Sequence, residues 1–132
     1  MKVTLDQIGR VVHETNRAFC TSIGDHSQVS WDDLPSAEKQ VTLNSIKNHY
    51  EHNKDHTLMS PSESHDIWMK NKILAGWKYG PIKNSDTKEH PSLVEYKDLD
   101  SEEKFKDYLF NAVVGQYWFS QVEIIDSTKP TK

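Results

Sequence analysis

Residues 60–81 read SPSESHDIWMKNKILAGWKYGP and contain the clearest boundary signals in the chain. Ser60 and Glu63 form a capping-box pattern with Pro61 at the first helical position, which predicts that a helix begins here. Gly76 is expected to end it, because glycine tolerates the left-handed backbone that often follows a helix. The next residues, 77–81, are rich in aromatics and close on Gly-Pro, which excludes regular helix.

Apolar spacing outward from this stretch predicts three more helices. The first begins after Thr4 and ends at Gly24, and its apolar face recurs at three- and four-residue steps. The second begins at Pro35 and runs through Tyr50, and the fourth opens on the acidic residues 100–103. The residues of the fourth helix expected to point inward are Phe105, Leu109, Ala112, Val113 and Trp118.

More than 20 residues separate the third and fourth helices, and they hold Trp77, Tyr79 and Tyr96. A loop this long in a compact domain is usually functional. Residues 93–96 are predicted to be a short extended piece. The fold class is therefore mainly α: a small single-domain helical protein of about four helices, with one long structured loop between the third and fourth. Residues 1–125 form the domain and residues 126–132 a polar C-terminal tail.

Composition narrows the function classes. The chain has 132 residues and a formal net charge of −4, which argues against nucleic acid as a partner. Its lone cysteine, Cys20, rules out an internal disulfide and is expected to be a small packing residue. We expect a cytoplasmic protein without a membrane partner, because neither a signal peptide nor a spanning apolar segment is visible.

Catalytic and metal motifs are missing from the sequence. There is no P-loop, no G-x-G-x-x-G and no nucleophile elbow. His49, His52 and His56 have ligand-like spacing, but no second cluster completes a tetrahedral site, so a solvated helix end is the favoured interpretation. We expect no enzymatic activity, no bound metal and no cofactor.

Aromatic and basic residues concentrate around the loop. Trp68, Trp77 and Tyr79 lie in the same part of the chain as five lysines at positions 70, 72, 78, 83 and 88. Aromatic planes stack on nucleobases and lysines neutralise phosphates. The alternative is that these aromatics only pack the fold and pin the loop.

Three motifs in this region closely resemble the RyR domain: H-x-x-W at residues 65–68, K-x-x-x-G-W-x-Y-G at 72–80 and H-P-x-L-V at 90–94. This domain occurs in tandem pairs in ryanodine receptors and as a stand-alone domain in bacteria and phages. The resemblance is specific over roughly residues 60–115. Short segments within 13–31 and 106–110 also resemble stand-alone phage and prophage members. Ser92 and Glu95 depart from the pattern, in which Cys and Pro are common.

The resemblance implies a helical domain that binds an adenine nucleotide, with Trp68 against the base and Trp77 and Tyr79 beside it. Lys72 and Lys88 match the motif as phosphate ligands, with Lys83 as a further candidate. The rest of the expected ligand-binding set is His65, His90 and Arg17. In the receptors two repeats face each other across the site. A single-domain protein therefore either forms a homo-oligomer, a dimer or higher, or builds the site within one chain.

These observations lead to an expectation of non-enzymatic binding of an adenine nucleotide or a nucleotide-derived signalling molecule, of the ADP-ribose or cyclic type. Since phage relatives are common and no output domain is apparent, we expect sequestration of that ligand against host antiphage defence, in the host cytoplasm. One alternative is a protein–protein interaction module anchored by Trp31, Trp77 and Trp118. Another is an enzyme acting on nucleotides, with His65 or His90 as acid–base.

Overall fold

The computed structural model describes residues 2–52, 59–119 and 123–125. Four α-helices dominate them, as predicted, and a long loop separates the third from the fourth. The helices are α1 (Leu5–Ser22), α2 (Ser36–His52), α3 (Pro61–Leu74) and α4 (Ser101–Phe119). The strands are β1 (Lys2–Thr4), β2 (Lys78–Tyr79), β3 (Glu89–His90) and β4 (Glu123–Ile125), and two 3₁₀ helices cover Trp31–Asp33 and Tyr96–Asp98.

Side-chain caps fix where the helices begin. In α3 the Glu63 amide donates to Ser60 Oγ and the Ser60 amide donates to Glu63 Oε1, both at 3.2 Å. The α1 start uses the same reciprocal arrangement between Thr4 and Gln7. Each bond satisfies an amide that the helix itself leaves unpaired. The predicted starts of both helices are confirmed.

The loop between α3 and α4 is held by short backbone ladders. Gly76 has φ +92 and turns the chain after α3. Parallel pairing then joins Lys78 to Glu89 and Tyr79 to His90. A Cβ on Gly80 would lie 2.6 Å from Glu89 Cβ, so this position needs glycine for a close approach and not for an unusual φ.

Two expectations about extended structure were wrong. Residues 93–96 form no strand, and a 3₁₀ helix begins at Tyr96. The chain also forms a second parallel pair, in which β1 lies beside β4 in the register Val3 to Ile124. Strands of two and three residues are too short for alternation to reveal them.

The apolar core lies where α1, α2 and α4 meet. Its buried members are Val3, Leu5, Ile8, Val12, Trp31, Leu43, Ile46 and Val114. Cys20 is also buried, as predicted. Phe105 and Ala112 do not point inward as expected: both are exposed, and the fully buried residue of α4 is Val114. The Trp118 side chain lies outside the described residues.

The prediction of a solvated histidine cluster was wrong for His49. Its ring is fully buried and makes edge contacts with Tyr50 and Phe110. It faces the interior because α2 packs against both α1 and α3 along this part of its length. The His52 side chain and His56 lie outside the described residues. Across the described helices, none combines the length and the apolar character needed to cross a membrane.

Candidate functional site

A cavity of about 180 Å³ lies among the four helices and the α3–α4 loop. Each helix contributes to its wall, for example His13 from α1, Thr42 from α2, Trp68 from α3 and Phe110 from α4. One water needs only about 10–15 Å³, so the space admits a larger molecule. We call this the bundle cavity.

One face of α3 supplies the predicted residues that line the bundle cavity. His65, Trp68 and Lys72 recur at three- and four-residue steps, so the helix stacks them along one side. The rings of His65 and Trp68 are stacked, with centroids 5.4 Å apart. Trp68 remains half-buried, whereas His65 and Lys72 are buried. The spacing that predicted the helix therefore also brings three candidate residues together.

His90 reaches the cavity from β3. Its ring makes an edge contact with Trp68 at 5.1 Å between centroids, and the Ser92 amide donates to its Nδ1 at 3.0 Å. Burial lowers the pKa of His90 to about 3, and the positive charges of Lys72 and Lys83 act in the same direction. The ring is therefore neutral at pH 7, with its proton on Nε2.

His65 is fixed from both sides of its ring. Its Nε2 donates to the Val94 carbonyl at 2.7 Å, and its Nδ1 faces the Asp107 carboxylate at 3.6 Å. Burial pulls the pKa of His65 down, but Asp107 and the Val94 carbonyl outweigh it and leave that pKa raised. Burial also raises the pKa of Asp107, against the opposing effect of His65. These two groups hold the ring that supports Trp68.

Three lysines line the cavity, and they differ in their partners. Lys106 is paired with Glu103 at 2.8 Å. Lys72 and Lys83 form no salt bridge with any carboxylate of the described residues. Burial lowers the pKa of Lys72 to about 8, and the charge of Lys83 adds to the effect while Glu38 opposes it. Two cations are thus held near each other with one carboxylate close by.

The other four predicted ligand residues do not line the bundle cavity. Trp77 is buried in the loop, with Lys72 Nζ 4.0 Å from its ring centroid. Tyr79 is 58% exposed on β2. Lys88 Nζ donates to the Ala75 carbonyl at 2.9 Å, at the end of α3, and Arg17 pairs with Glu14 at 3.1 Å.

Sequence reasoning missed most of the opposite wall. Glu103, Lys106 and Asp107 of α4 line the cavity, as do Asn16 of α1 and Glu38 of α2. A signal was present in α4, because residues 103, 106, 107 and 110 recur at helical spacing and three of them are charged. Such a stripe suggests a solvated face until the packing of its neighbours is known.

The chemistry available in the cavity favours binding. It offers an indole surface, two lysines without carboxylate partners and a neutral histidine with a free N–H donor. His90 is a weak base at neutral pH, and both ring nitrogens of His65 are engaged. Within the ranges that the structure describes, no group of three or more His, Cys, Asp or Glu side chains is arranged to hold a metal ion.

Comparison with known families agrees with the motifs at these positions. The RyR domain family model matches residues 41–111. The matched region is more than half of the chain, and it includes α3, the loop and His65, Trp68, Lys72 and His90. On this match, the chain belongs to the RyR domain family.

Proposed function

We propose that this protein binds an adenine nucleotide, or a signalling molecule derived from one, in the bundle cavity and does not turn it over. The observation that carries the proposal is the placement of a half-buried Trp68 beside Lys72 and Lys83, two cations without carboxylate partners. Ligand pockets characteristically combine an apolar wall with a few convergent polar groups. This cavity has both.

The base is assigned to Trp68. Stacking of a base on an aromatic side chain contributes about 1–3 kcal/mol. His65 is stacked against the indole and is itself held by Val94 and Asp107, so the tryptophan is positioned before a ligand arrives. Pre-positioning reduces the entropy lost on binding.

The phosphates are assigned to Lys72 and Lys83. Desolvated like charges repel each other, and an anion placed between them removes that repulsion. Lys106 is a weaker candidate because Glu103 already neutralises it. Lys88 is set aside because its ammonium group caps the carbonyl of Ala75.

Binding without turnover also permits a biological role in sequestration. A protein that binds a nucleotide messenger tightly lowers its free concentration without any catalysis. We propose this role, directed at a messenger of antiphage defence of the ADP-ribose or cyclic type, as the sharper form of the hypothesis.

Calorimetric titration with a panel of adenine mononucleotides, ADP-ribose and cyclic nucleotides tests the proposal. We expect at least one to bind with a low-micromolar or tighter Kd. After denaturation, mass spectrometry is expected to recover that ligand unchanged. Binding of nothing below high micromolar contradicts the proposal, and recovery of a converted product contradicts its non-enzymatic part.

A protein-interaction role has one observation in its favour. Trp31 and Trp77, the expected anchors, are buried. However, Ile73, Leu74 and Ile82 are each more than half exposed near the end of α3 and the start of the loop. Loss of a stoichiometric partner in a Leu74→Asp/Ile82→Asp variant, with no effect of Trp68→Ala, would favour this function over nucleotide binding.

A further inference from the structure

A second cavity, of about 250 Å³, adjoins the bundle cavity. It lies between residues 27–35, the start of α2 and the α3–α4 loop. Four residues line both cavities: Gln28, Leu34, Glu38 and Lys83. The two spaces therefore share a wall and meet at Lys83 and Glu38. We call the second one the loop cavity.

The lining of the loop cavity differs from that of the bundle cavity. No aromatic side chain contributes to it, and Lys83 is its one cation. Its polar groups are the hydroxyls of Ser27 and Ser85, the carboxamide of Gln28 and the carboxylates of Asp33 and Glu38. Such groups suit neutral hydroxyl-bearing molecules, and carboxylates in particular accept hydrogen bonds from ribose hydroxyls.

The order of these groups defines a ligand shape. Trp68 lies in the bundle cavity, Lys72 lies in the same cavity near Lys83, and the hydroxyl- and carboxylate-rich lining begins beyond Lys83. A ligand that follows this order carries a base, then phosphates, then a sugar. A mononucleotide fills only the first two positions.

We propose that the two cavities form one cleft, and that its ligand is a nucleoside diphosphate whose distal phosphate carries a second sugar. The proposal rests on the proposed function, since it assumes that the base and phosphates occupy the bundle cavity. In this arrangement the second sugar contacts Asp33, Gln28 and Ser85. Lys83 lies at the junction, where it neutralises the diphosphate.

Calorimetry with ADP-ribose and ADP as probes tests this inference. We expect ADP-ribose to bind at least tenfold more tightly than ADP, because a second sugar adds several hydrogen bonds. Asp33→Asn removes a carboxylate and Ser85→Tyr fills space in the loop cavity. Each is expected to reduce the ratio below about threefold while leaving ADP affinity unchanged. Asp86→Asn, on an exposed residue of the same loop that lines neither cavity, is the matched control and keeps the ratio.

The outcomes separate the two proposals. Equal affinities for ADP and ADP-ribose overturn the two-part cleft but leave nucleotide binding in place. A tenfold preference that neither variant changes overturns the assignment of the second sugar to the loop cavity. If neither probe nor any other nucleotide binds, both proposals fall.

Discussion

Lys72 combines two environments at one ammonium group. Its Nζ lies 4.0 Å from the ring centroid of Trp77, and the side chain is 8% exposed at the wall of the bundle cavity. A cation over an indole face is favourable, but burial and the charge of Lys83 still lower the pKa to about 8. The protein therefore holds this proton loosely while the site contains no anion.

Proton uptake on binding follows from that pKa. At pH 8 about half of the Lys72 side chains are neutral, and a bound phosphate raises the pKa, so binding takes up to about half a proton from solution. Calorimetry of nucleotide binding in two buffers of different ionisation enthalpy measures this number. Lys72→Met is expected to abolish the uptake, whereas Lys70→Met, on an exposed position of α3, retains it. Absence of uptake by the unmodified protein contradicts the assignment.

His90 makes the fold sensitive to acid. Its pKa is about 3 in the folded chain and about 6.5 in an unfolded one, so between these values only the unfolded state binds the proton. The free energy of unfolding therefore falls as the pH decreases through this window, by at most about 1.4 kcal/mol per pH unit from this group.

His90→Asn tests that contribution, since Asn offers an oxygen near the position of Nδ1 to accept from the Ser92 amide and does not titrate. We expect urea unfolding of the variant to show a shallower decline between pH 6.5 and 4 than the unmodified chain. Comparison at pH 8, where His90 is neutral in both states, isolates any packing change. Parallel declines in the two proteins would contradict the prediction.

Helical spacing explains which site residues were predictable. His65, Trp68 and Lys72 follow one face of α3, so their meeting at the cavity wall is encoded locally. Tyr79 and Lys88 could not be placed in this way, because the parallel pairing of β2 with β3 and the bond from Lys88 to Ala75 set their positions.

At the scale of elements, α3 is tied to α4 by a buried amide. Asn111 Nδ2 donates to the Met59 carbonyl at 3.0 Å, and Ser64 Oγ donates to Asn111 Oδ1 at 2.9 Å. Both contacts are at the beginning of α3, next to its capping residue Ser60. They fix the helix that carries Trp68 against the helix that carries Asp107.

Asn111→Ala is expected to reduce the free energy of unfolding by about 2–4 kcal/mol, because it leaves Met59 O and Ser64 Oγ buried without these partners. Urea unfolding followed by circular dichroism measures the loss. Gln40→Ala removes an exposed hydrogen bond to Asn44 in α2 and serves as the control, with a change within about 0.5 kcal/mol. A similarly small loss for Asn111→Ala would show that this link does not stabilise the fold.

Helix boundaries were the most predictable elements. Thr4, Ser60 and Pro35 mark starts through local hydrogen bonding and fixed φ, so no distant contact is needed to recognise them. The pairing of β1 with β4 was not predictable, since Val3 and Ile124 are far apart in sequence and each strand has only three residues.

For the molecule as a whole, the low hydrophobic content of 35% matches a bundle that is only partly filled by apolar side chains. The apolar core lies where α1, α2 and α4 meet, and the bundle cavity with its charged groups takes up part of the remaining interior. Val12 belongs to both regions, at their boundary. The net charge of −4 says little about this site, because Lys72 and Lys83 decide the local potential.

The central claim is that a nucleotide binds in the bundle cavity with its base against Trp68, and one calorimetric comparison tests it most directly. The tightest nucleotide of the panel is titrated at pH 7 into the unmodified protein, Trp68→Ala and Tyr79→Ala, with circular dichroism to confirm folding. We expect Trp68→Ala to weaken binding about 10- to 100-fold, the equivalent of one lost stacking contact. Tyr79→Ala is expected to stay within about twofold, because that side chain lies outside the cavity. Unchanged affinity in a folded Trp68→Ala variant, or an equal loss in Tyr79→Ala, would contradict the account.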